Sequence, residues 1–85
     1  MASTDKDTHR QSVNRFIALA NEMKDEGIDV NVVSSSLMTA SALYTSYVVG
    51  GNQGGLTESG VKKVTEVYRK ELTRIQSIKK EAAEQ

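Results

Sequence analysis

Apolar positions recur with helical spacing along the first and last thirds of the chain. In the first third, steps of three and four residues connect Val13, Phe16, Ile17, Leu19, Ala20 and Met23. In the last third, the same steps connect Val61, Val64, Val67, Tyr68, Leu72, Ile75 and Ile78. This period collects apolar side chains on one face of an α-helix and polar side chains on the other. The pattern predicts amphipathic helices over about residues 9–26 and 58–80.

The middle of the chain is apolar on one side and uncharged throughout. No charged residue lies between Asp29 and Glu58. On a helical wheel, nearly half of the circumference is apolar and holds Val30, Val32, Val33, Leu37, Ala40, Leu43, Tyr44, Tyr47 and Val48. Adjacent apolar pairs such as Val32-Val33 break the strict alternation of a strand. We therefore predict a central helix over residues 30–50.

The opposite side of this central helix carries small residues where a solvent-facing helix normally carries Lys and Glu. Ser35, Thr39, Ala42 and Ser46 follow a four-three-four spacing that lets a second backbone approach closely. We interpret the central helix as the most buried of the three, with its apolar side packed on by the flanking helices. These four residues are then the predicted partner interface. The alternative is a polar surface that happens to use serine and threonine.

Glycines and capping residues separate the three predicted helices. Gly27 can end the first helix in the left-handed conformation, and Asp29 is placed to cap the central helix. Residues 50–55 (GGNQGG) contain four glycines and stop the central helix. They lack the Lys and hydroxyl of a phosphate-binding loop, so we interpret them as a connector. Thr57 is the predicted N-cap of the last helix.

The predicted organisation is a flexible segment at 1–8, a three-helix domain at 9–80 and a tail at 81–85 that is helical but frays. Thr8 and Gln11 have the spacing of a capping box at the start of the first helix. Ser3 or Thr4 could instead cap an earlier start. The fold class is all-α, a small three-helix domain with a charge-free central helix.

Two acidic residues of the last helix are predicted to form ion pairs. Glu66 and Lys70 have the favourable i,i+4 orientation for an ion pair. Glu71 projects into the apolar stripe, where a carboxylate needs a partner. Arg74, one turn further, is the nearest candidate, and a cation of the first helix is the alternative. We interpret Glu71 as part of a structural ion pair.

Composition narrows the classes of protein. Eighty-five residues make one small domain with a small core, and the absence of Cys excludes disulfides and cysteine-based metal sites. Eleven basic and eleven acidic residues give no net field that would attract nucleic acid or membrane. The central stretch is long enough to span a bilayer, but its serines and threonines argue against it. The first residues contain acids and lack an apolar signal segment, so the cytoplasm is the default location.

Several motifs resemble those of a known family. They are residues 16–22 (FIALANE), Gly27, Val33, residues 36–38 (SLM) with the alanines and tyrosine after them, and residues 68–72 (YRKEL). Together they resemble short bacterial proteins known as a domain-of-unknown-function family, family three-one-four-four. The GGNQGG connector departs from that pattern. The resemblance implies a bacterial origin and a helical domain, and it supplies no activity and no site.

No residue pattern points to catalysis. The single histidine, His9, lies in the polar N-terminal region, and no carboxylate pair with a histidine, metal-ligand cluster or activated nucleophile can be assembled. We therefore expect no enzyme activity, no cofactor and no metal. An uncharged helix with too much surface for two neighbours to cover favours an interaction module. The expected partner is a second copy in a homodimer, with an unidentified protein as the other possibility.

Two alternative functions stay open. The first is weak nucleic-acid binding through the last helix, whose basic residues are Lys62, Lys63, Arg69, Lys70, Arg74, Lys79 and Lys80. Five acidic residues are interleaved with them, so few phosphates could be neutralised. The second is small-ligand binding near Ser41, Tyr44 and Tyr47, although tyrosines at helical spacing are usually core residues. The oligomeric state in solution discriminates best between these functions.

Overall fold

The chain forms three α-helices in a computed structural model that describes residues 4–50 and 57–84. Helix α1 spans Asp5–Asp25, α2 spans Val30–Gly50 and α3 spans Glu58–Glu84. The described residues contain no strand, and the predicted all-α fold is confirmed. The bounds of α2 agree with the prediction. Helix α1 begins at residue 5 rather than 9, so the segment predicted as flexible at 1–8 includes helical residues. Helix α3 continues past residue 80 to residue 84, which agrees with a helical tail.

Thr4 starts the first helix. Its Oγ1 accepts a hydrogen bond from the Asp7 amide at 3.1 Å, and its carbonyl accepts one from the Thr8 amide at 2.9 Å. Asp5 and Asp7 place negative charge in the first turn, where the helix dipole favours it. Thr8 therefore lies inside the helix. The capping box predicted at Thr8 is wrong, and the alternative cap at Thr4 is confirmed.

Gly27 ends the first helix as predicted. Its φ of +100° lies in the region that favours glycine. Its amide donates to the Lys24 carbonyl at 2.9 Å, and the Ile28 amide donates to the Met23 carbonyl at 3.2 Å. This pair of bonds is the Schellman motif, which satisfies the last carbonyls of a helix. The turn at Gly27 therefore allows the next helix to begin three residues later, at Val30.

The predicted N-caps of the other two helices are confirmed. The Asp29 carboxylate accepts a hydrogen bond from the Asn31 amide at 2.8 Å. The Thr57 hydroxyl accepts one from the Gly60 amide at 3.2 Å. Each cap satisfies an amide that the first turn of a helix leaves without an intrahelical partner. Helix α2 ends at Gly50, and the rest of the predicted connector lies outside the described residues.

One buried hydrophobic side chain is found among the described residues: Val33 of α2, which is 8% exposed. The chain divides into two compact units, Met1–Leu43 and Tyr44–Gln85, and Val33 belongs to the first. Farther along the apolar side of α2, Leu37 is 39% exposed and Tyr44 is 74% exposed. The one buried side chain thus lies on the helix predicted to be the most buried of the three, but the expectation that the apolar side of α2 is packed is wrong for most of its described side chains. Periodicity identifies an apolar face, but it does not show that anything covers that face.

Candidate functional site

The predicted partner interface lies on one side of α2 and is largely uncovered. Ser35, Thr39 and Ala42 are exposed, and Ser46 is half-buried. The Ser35 hydroxyl donates to the Val32 carbonyl at 3.3 Å. This local bond would let a partner cover Ser35 without leaving its hydroxyl unsatisfied. Whether these four residues contact a partner stays a prediction.

The apolar side of α2 offers a second surface, which sequence reasoning assigned to the core. In the last turns before Gly50, Leu43, Tyr44, Tyr47 and Val48 are all more than half exposed. The interpretation of the two tyrosines as core residues is therefore wrong for the chain by itself. The sequence feature that could have indicated this exposure is the width of the apolar arc on the helical wheel. A helix that packs one stripe against a core needs a narrower apolar arc than α2 has.

Large apolar side chains are exposed on the other helices as well. On α1, side chains more than a third exposed are Val13, Phe16, Ile17 and Leu19. On α3, they are Val61, Val67, Tyr68, Leu72, Ile75 and Ile78. Exposed large apolar side chains are therefore not confined to α2. Helix α2 differs from both because it contains no charged side chain at all.

Glu66 of α3 is paired with Arg69 rather than with the predicted Lys70. The Arg69 Nε lies 3.1 Å from Glu66 Oε2, and Arg69 Nη2 lies 2.7 Å from Oε1. The planar guanidinium matches both carboxylate oxygens, which a lysine ammonium cannot do. These hydrogen bonds, with the nearby positive charge, lower the pKa of Glu66. The same contacts raise the pKa of Arg69.

Glu71 is paired with Arg74, the partner that its position predicted. The Arg74 Nε donates to Glu71 Oε1 at 2.7 Å, and Arg74 Nη2 contacts the same oxygen. Both side chains are about half exposed, so the pair adds little stability. It nevertheless gives the carboxylate a local partner within the apolar stripe. The structural interpretation of Glu71 is thereby supported.

The described residues provide no constellation for metal chemistry. His9 is exposed on α1, and no group of three His, Asp or Glu residues within the described ranges could hold a metal ion. No helix in residues 4–50 or 57–84 is long and apolar enough to cross a membrane.

These features define a small all-α protein with an exposed, uncharged central helix. The chain belongs to the family described as protein of unknown function, DUF3144, whose family model matches residues 10–75. The match extends from α1 through α2 and into α3, and it confirms the family resemblance of the sequence motifs. No curated protein and no solved structure matches the chain.

Proposed function

We propose that the protein is a helical interaction module that self-associates through α2. The observation that carries the proposal is the combination, on one helix, of no charged residue and an exposed apolar side that includes Leu43, Tyr44 and Tyr47. Covering apolar surface stabilises a complex by about 25 cal/mol per Å² removed from water. Val33 is the one buried hydrophobic side chain among the described residues. More apolar surface is therefore left to bury by association than is buried within the chain.

A second copy is the partner that best fits these properties. Closed two-fold dimers are the commonest assemblies of a single kind of chain. Two uncharged helices can meet without like-charge repulsion, and α2 is uncharged along its whole length. The interface predicted from sequence, at Ser35, Thr39, Ala42 and Ser46, lies on the other side of the same helix and is the alternative contact surface within this proposal. A cytoplasmic location and a role without catalysis or cofactor also belong to the proposal, on the sequence arguments given above.

The nucleic-acid alternative gains nothing from the charges of α3. Arg69 is paired with Glu66 and Arg74 with Glu71. Paired cations neutralise fewer phosphates, so the affinity expected for duplex DNA or RNA falls further. We expect no retardation of either duplex in a low-salt gel assay.

Sedimentation equilibrium from micromolar to millimolar protein tests the proposal. The expected result is a concentration-dependent rise from the chain mass of 9.3 kDa to twice that mass. Because the contact is uncharged, added salt should leave the dissociation constant nearly unchanged. A constant mass of 9.3 kDa across the whole range would overturn self-association.

A further inference from the structure

No further inference is drawn: the strongest candidate, the exposed apolar stripe of α3 that includes Val67, Tyr68 and Leu72, carries none because nothing in the structure shows what covers it.

Discussion

Helices α2 and α3 both have an apolar side, but they differ in the charge of the opposite side. The back of α3 is charged. Glu66 on that back, and Glu71 within the apolar stripe, are each paired with an arginine one turn further along the same helix. The threonine hydroxyls at Thr65 and Thr73 donate to carbonyls of the preceding turn. Helix α2 has no charged residue on any side. Charged side chains favour contact with water, so the charged side of α3 is stabilised when it is solvent-exposed. A helix with no charged side can bury more of its surface against protein without desolvating a charge.

The largest expected difference concerns a lysine placed on each stripe. Tyr47 of α2 and Val67 of α3 are matched in exposure, at 68% and 66%. Tyr47→Lys should weaken self-association by about 3 kcal/mol or more, because the ammonium would be desolvated without a counter-charge. Val67→Lys should change it by less than about 0.5 kcal/mol, as for surface positions in general. Sedimentation equilibrium measures both. Equal weakening by Val67→Lys would extend the contact to α3 and break the comparison.

A smaller effect is expected at the buried end of α2. Val33→Ala removes two methyl groups from the buried position and should lower the free energy of unfolding by about 2 kcal/mol, including the cavity term. Val32→Ala changes the same residue type at a half-exposed neighbour and should cost less than about 0.5 kcal/mol. Urea denaturation of dilute protein, followed by circular dichroism, gives both values. Similar costs for the two variants would mean that Val33 is not the packing centre of its unit.

The helix starts should not differ between α2 and α3, because both are capped by a side-chain oxygen. Asp29→Ala and Thr57→Ala each remove one such acceptor and should each cost about 1 kcal/mol. Thermal unfolding monitored by circular dichroism would compare them. A much larger cost for Asp29→Ala would show that the two helices also differ at their ends, beyond the difference between their faces.

The smallest effect concerns the charged back of α3. Because Arg69 lowers the folded-state pKa of Glu66, the pair stabilises the fold above the unfolded-state pKa of Glu66. This contribution is lost as the pH falls through the lowered folded-state pKa. In a carboxyl ¹³C titration, Arg69→Gln should move the Glu66 midpoint upward. Lys70→Gln is the control and should move it much less; the reverse order would restore the pairing predicted from sequence.

The ends of the helices were predictable wherever the chain offers a single stop or start signal. Gly27 and Asp29 leave one way to end α1 and begin α2, and the bounds of α2 agree with the structure. The start of α1 was harder because Thr4 and Thr8 can both cap a helix. The residues between them are compatible with a further helical turn, so propensity does not choose between the two caps. The earlier cap gains four helical residues and the acidic first turn.

The side-chain environment was less predictable than the helices. Sequence reasoning identified the apolar side of α2 and assigned Tyr44 and Tyr47 to the core, whereas both are exposed. The identity of a residue reports its preference for burial but not the presence of a neighbour. The Glu66 pairing was missed for a related reason. Spacings of three and four residues both bring side chains together on a helix, and the bidentate geometry of arginine decided between Arg69 and Lys70.

The exposure of Tyr44 and Tyr47 has an optical consequence. The chain has three tyrosines and no tryptophan, so its intrinsic ultraviolet emission comes from tyrosine alone. Two of these emitters lie on α2 and the third, Tyr68, lies on α3. An ionic quencher such as iodide reaches a phenol in water far better than one enclosed by protein. Two of the three tyrosines would therefore become less accessible to iodide if another protein chain packed against α2. Iodide quenching of the tyrosine fluorescence can follow such association without a label.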